Sequence, residues 1–174
     1  MKIRKMHLIF IIIAINFIVF TVEYSSNVLR DSEYFYSIGG FQKVNNFYEL
    51  WRAFSCQFIH SGFFHLFINM ISLFYVVKEL SKYEGAIKIF LIYLFSLISV
   101  AIALIIFAKN NVVYIGNSGA VFGLFAALFF YSIKEKKKLS LCKSEIETII
   151  LMIGLSVVIS SVSILMHLSG FVED

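Results

Sequence analysis

Apolar runs close to the length of a bilayer crossing recur along this chain, at residues 6–22, 62–77, 86–108 and 112–133, and no charged residue occurs between 148 and 172. Only Lys88 interrupts any of them. An α-helix needs about 20 predominantly apolar residues to cross the hydrocarbon core. With 60% hydrophobic and 15% charged residues and a mean hydropathy of +0.87, the chain lies outside the range of soluble domains. These features predict an all-α, polytopic membrane helix bundle. Proline is absent, so any break within a span must fall on Gly, Ser or Asn.

The charges lie at the ends of the apolar runs and set a topology. Lys2, Arg4 and Lys5 precede the first run, and no small-residue cleavage pattern follows it, so it reads as an uncleaved helix with a cytoplasmic N-terminus. Alternating the spans from there puts eleven Lys and Arg residues inside, including Lys134, Lys136, Lys137 and Lys138, against Arg30, Lys43, Arg52 and Lys109 outside. That bias satisfies the positive-inside rule and points to a multi-pass protein of the cell membrane. The net charge of +4 is therefore a topology signal, and nucleic acid is excluded as a partner. Residues 23–61 interleave charges with aromatics such as Tyr34, Phe41, Phe47 and Trp51, which predicts an ordered outer loop packed on the bundle. Cys56 and Cys142 fall on opposite sides of the membrane, so no disulfide joins them. One membrane domain over residues 1–174 is expected, with spans at about 6–22, 62–77, 86–108, 117–133 and 146–161 and a partial one at 164–174.

Ionisable and polar groups within spans are costly and mark functional positions. Ser118 stands between Gly116 and Gly119 at the head of an apolar helix, with an open backbone around it. His65 and Asn69 are spaced i, i+4 on the second span and share a helix face. Counted at the helical rise, Ser118, His65 and Asn69 lie at similar depth, on the order of 10 Å below the outer boundary, and His167 lies near the outer end of the last run. A serine hydroxyl becomes a nucleophile when a neutral imidazole takes its proton. Attack on a carbonyl then creates an oxyanion, for which the side chains of His65 and Asn69 and the backbone N–H of Ser118 are suitable donors.

Further residues complete a pattern: Trp51-Arg52 in the outer loop, His60-x4-His65-x3-Asn69 entering the second span, Glu79 and Gly85 after it, Gly116-x-Ser118-Gly119 with Gly123, and His167-x2-Gly170. In this order and spacing the chain resembles the rhomboid intramembrane serine proteases from about residue 51 to 170. The resemblance implies a six-helix core in which Ser118 is the nucleophile and His167 the general base. His65, Asn69 and the Ser118 backbone would serve the oxyanion, His60 would be structural, and Phe122 would pack against the base. It further implies transmembrane protein substrates, cleaved near the outer face of the lipid bilayer, and no cofactor.

In that family the last helix continues past the histidine and carries a second glycine four residues after the first. Here that position is Asp174, the final residue of the sequence, so a C-terminally short rhomboid-like core with a truncated last helix is expected. The alternative reading is a catalytically weak or inactive rhomboid-like protein that binds transmembrane clients. A metal site is not expected: His60 and His65 are five apart, off a common helical face, and H-E-x-x-H is absent. Taken singly, Gly119, Gly123 and Ala127 form a small-residue stripe of the kind that lets helices pack closely.

Overall fold

The structure, a computed structural model, describes residues 7–25, 31–43 and 46–134. The chain runs through α1 (His7–Tyr24), α2 (Ser32–Ser37), a 3-10 turn at Phe47–Glu49, α3 (Arg52–Ser55), a second 3-10 turn at Cys56–Phe58, α4 (Phe63–Leu80), α5 (Ala86–Phe107) and α6 (Ser118–Lys134). The expected spans 146–161 and 164–174, with His167 and Gly170, lie outside the described residues, as does Cys142. The chain divides into two compact units, residues 1–128 and 129–174. The packing that follows is that of the first; in the second, Phe130 and Tyr131 make an edge-to-face ring contact.

Helix α1 buries Ile9, Ile12, Asn16, Phe20 and Glu23, positions that recur every three or four residues and so form one stripe. Its partners are α4, α5 and the 3-10 turn at Cys56–Phe58. Helix α4 buries Leu66, Asn69, Met70, Leu73, Val76, Val77 and Leu80, the broadest inward face of the bundle. The sequence placed its end near residue 77; the helix instead continues to Leu80, which is fully buried, because Lys78 is exposed and the largely covered Glu79 is neutralised by an ion pair, so the helix keeps its apolar register. Glu79 pairs with Lys82 there.

The opposite faces carry large exposed apolar side chains, Ile11, Ile18 and Val22 on α1 and Ile87, Phe95, Ile102 and Ile106 on α5. Surfaces of this kind are stable against lipid or another apolar surface. Helices α1, α4 and α5 are long and apolar enough to cross a bilayer, and α6 is an apolar helix slightly shorter. This is an all-helical, multi-pass membrane protein; among the described residues the one non-helical pairing is an isolated antiparallel bridge between Phe41 and Tyr114.

The segment between α1 and α4 is ordered by its own polar groups. Asp31 caps α2 by accepting the Tyr34 N–H at 2.8 Å, and the Tyr34 hydroxyl donates to the Glu23 carbonyl at 2.7 Å, tying the loop to the end of α1. Arg52 is the loop's staple. Its Nε donates to Glu49 at 2.9 Å, its guanidinium donates to the Tyr36 carbonyl, and its cationic face lies 4.3 Å from the Tyr36 ring centre and 4.8 Å from that of Trp51. The hydrogen bond from Tyr36, helped by Arg52, holds the Glu49 carboxyl below its usual range, and the same bond raises the Tyr36 phenol. Beneath them Phe41, Ala53, Cys56 and Ala108 form a buried cluster, and Gln57 donates to the Leu97 carbonyl of α5 at 2.9 Å. The loop is thereby fixed to the bundle.

Candidate active site

The segment before α6 is held at three points. Phe41 and Tyr114 exchange backbone hydrogen bonds of 3.1 and 2.7 Å, and the Gly116 N–H donates to the Cys56 carbonyl at 2.9 Å. Gly116 has φ +99°, the left-handed region where a side chain is strained. This turn lets the chain enter α6 at Ser118, which is half-buried; the first helical bond runs from the Val121 N–H to the Asn117 carbonyl at 3.1 Å. A helix start leaves backbone N–H groups without intrahelical partners and carries a partial positive charge. Negative charge developing beside Ser118 would be stabilised there.

Helix α4 brings His65 to the same place. A Cβ placed on Gly116 would lie 2.8 Å from both Cε1 and Nε2 of His65, so the imidazole edge bearing Nε2 faces the turn two residues before Ser118. The other nitrogen, Nδ1, is occupied by Ser61, whose backbone N–H lies at 3.4 Å and hydroxyl at 3.1 Å. Asn69, buried one turn further along, donates through Nδ2 to the His65 carbonyl at 2.8 Å. Its side chain is thus tied to its own helix and shares the face of His65, as the i, i+4 spacing predicts.

His60 is fully buried, its ring centre 5.0 Å from that of His65 in an edge-on arrangement. Its Nδ1 lies 3.2 Å from the Phe58 carbonyl; a carbonyl only accepts, so Nδ1 carries the proton. Burial, and secondarily the neighbouring His65, push its pKa down to about 3, which keeps it neutral near pH 7. Asn117 is also fully buried. Its amide lies close enough to interact with His60 and with Tyr93 of α5, though without the alignment of a full hydrogen bond.

On α6, Phe122 is half-buried and shares the face of Ser118, four residues earlier. Gly119 and Gly123 face α5: a Cβ on Gly119 would lie 2.6 Å from Val100, and one on Gly123 would lie 2.0 Å from the Ser96 hydroxyl. Both helices approach closely because neither position has a side chain.

The structure thus brings together Gly116, Ser118, His65, Asn69 and His60. Trp51 and Arg52 stand apart in the segment between α1 and α4, and Glu79 lies at the far end of α4. Cys56 is buried, and desolvation raises its thiol from 9.0 to about 12, so its part here is the backbone carbonyl that anchors Gly116. Sequence reasoning passed over Ser61 and Asn117. Ser61 was detectable as a hydroxyl four residues before His65, and Asn117 as an amide wedged between Gly116 and Ser118. Among the described residues no cluster of three potential metal ligands occurs.

The Rhomboid domain profile matches residues 48–173. The chain is 37% identical over 83 residues to RHOMBOID-like protein 2 of Arabidopsis thaliana, a match covering 48% of this chain and 26% of that protein. It is 36% identical over 81 residues to Inactive RHOMBOID-like protein 8 of the same plant, covering 47% and 23%. It is 28% identical over 124 residues to Putative rhomboid protease YdcA of Bacillus subtilis (strain 168), covering 70% and 62%. The chain spans about a quarter of the length of these plant relatives. No solved structure matches significantly. A profile that takes in α3 to α6, together with a serine at the head of α6 and a histidine of α4 set against the turn before it, shows that the chain belongs to the rhomboid family.

Proposed function

We propose that the chain is an intramembrane serine endopeptidase that cleaves transmembrane helices of other membrane proteins near the outer face of the cell membrane. The observation that carries this reading is the placement of Ser118 at the start of α6 with the Nε2 edge of His65 against Gly116. In this mechanism Ser118 Oγ attacks the scissile carbonyl while His167, assigned by its place in the family pattern, takes the hydroxyl proton and returns it to the leaving amine. The peptide C–N bond breaks, and water releases the acyl group from Ser118 by the reverse use of the same base. The Ser118 N–H, His65 Nε2–H and the second amide hydrogen of Asn69 are donors for the tetrahedral oxyanion. Loss of one such donor costs about 10²–10³ in kcat. Phe122 packs beside the base, while His60, Trp51, Arg52, Glu79 and Gly170 are structural. The whole is read as one membrane domain over residues 1–174, with a six-helix core and a cytoplasmic N-terminus.

A second reading is a rhomboid-like protein that binds transmembrane clients without cutting them; the similarity to a relative named inactive favours it. The two readings separate in proteoliposomes containing a model single-span substrate with Gly, Ala or Ser near its outer end. The protease reading expects a product cut at that end by the wild type and none from Ser118→Ala or His167→Ala. The double variant should be no worse than either single one, because the pair acts as a unit. Binding without any product would establish the second reading.

A further inference from the structure

We propose that Ser61 is a positioning residue that holds His65 in its Nε2–H tautomer, so that the N–H facing Gly116 is a donor in the reaction; the catalytic part of this rests on the protease reading. A neutral imidazole has one donor and one acceptor nitrogen, and the hydrogen bond made at one fixes the role of the other. At His65 Nδ1 the decisive partner is the backbone N–H of Ser61, at 3.4 Å. A backbone N–H can only donate, so Nδ1 must be the acceptor and the proton must sit on Nε2. The Ser61 hydroxyl, 3.1 Å from the same nitrogen, can donate or accept, and beside an acceptor nitrogen it donates. Both groups of one residue therefore favour the same tautomer.

The opposite tautomer is disfavoured on every side. A proton on Nδ1 would point into the Ser61 N–H and leave an acceptor nitrogen on the edge that faces the turn at Gly116. Such a nitrogen would repel a developing oxyanion. His60, the other titratable group against this ring, is neutral near pH 7 and meets it edge-on. Nor is the Ser61 hydroxyl occupied as a helix cap: α4 begins after Gly62, whose position has no side-chain capping bond. Serine at a helix entrance usually accepts from the helix N–H groups; this one turns to the imidazole. Asn69 holds the His65 carbonyl from the other side, so the ring is tied both through its backbone and through Nδ1.

The test uses the full chain in detergent micelles with 15N-labelled histidine, the His65 signals being identified by their loss in His65→Ala. Long-range 1H–15N spectra of the wild type should show the Nε2–H pattern for His65. Ser61→Ala should shift the Nδ1 signal toward that of a freer acceptor and lower kcat by about two- to tenfold, the worth of one hydrogen bond, with KM unchanged. Ser61→Thr, which keeps the hydroxyl, should retain both properties. An Nδ1–H pattern in the wild type would overturn the proposal, and it needs no Ser61 variant that folds. A Ser61→Ala protein with wild-type Nδ1 signal and kcat would overturn the part given to the hydroxyl and leave the tautomer to the backbone N–H, which alanine keeps. An Nε2–H His65 in a protein that cleaves nothing would support the tautomer assignment and overturn the protease reading instead.

Discussion

His65 lies edge-on against Gly116, so close that a single added carbon at Gly116 would come within 2.8 Å of the imidazole Cε1 and Nε2. Through this contact the second span is gauged against the turn that presents Ser118. Gly116→Ala should therefore fail twice, by forcing a side chain at φ +99° and by pushing His65 away. We expect a loss of about 1–3 kcal/mol from the backbone conformation alone, and a drop in cleavage beyond what that loss explains. Gly62→Ala is the control: its backbone is extended, and a Cβ there meets nothing within 4 Å. Melting temperature and cleavage rate, measured side by side, should change only for Gly116→Ala.

Gly123 meets α5 at Ser96. An added Cβ would stand 2.0 Å from the Ser96 hydroxyl and 2.6 Å from its Cβ, and that hydroxyl is already bonded to the Ile92 carbonyl at 2.8 Å. Rotating Ser96 cannot relieve the clash, so Gly123→Ala should cost about 1–3 kcal/mol of overpacking. Ser96→Gly removes the obstructing atoms. In a double-mutant cycle Gly123→Ala should be much less damaging in the Ser96→Gly background; equal damage in both would mean that α5 and α6 are not in this contact.

The buried imidazole of His60 predicts acid sensitivity. Its pKa falls from 6.5 to about 3, so between those values the unfolded chain binds a proton that the folded protein refuses. Its contribution is fully present above pH 6.5 and is lost as pH falls through 3. Thermal melts at pH 7 and pH 4.5 should show a decline in the wild type that is shallower in His60→Gln. An identical decline in both would place the sensitivity elsewhere.

The helices were legible because apolar periodicity and charge placement are local. Runs expected at 62–77, 86–108 and 117–133 appear as Phe63–Leu80, Ala86–Phe107 and Ser118–Lys134, the main error being a helix end where Leu80 keeps the inward register past two charges. The i, i+4 pairing of His65 with Asn69 was equally visible. What could not be read was how the segment between α1 and α4 meets the turn before α6. The Phe41 to Tyr114 bridge and the bond from Gly116 to Cys56 join residues sixty or more positions apart through backbone groups that every residue possesses, so no residue type announces them. The inward turn of Asn117 and the tie of Ser61 to His65 likewise depend on where separate segments meet.

If Ser118 is an activated nucleophile, a covalent adduct will report it without knowledge of any substrate. Folded wild-type protein in detergent, treated with a fluorophosphonate and mapped by mass spectrometry, should carry one adduct, on Ser118. The adduct should be absent from Ser118→Ala and strongly reduced in His167→Ala. A folded wild type that stays unmodified, or one whose adduct persists at another serine in Ser118→Ala, would rule out Ser118 as the nucleophile.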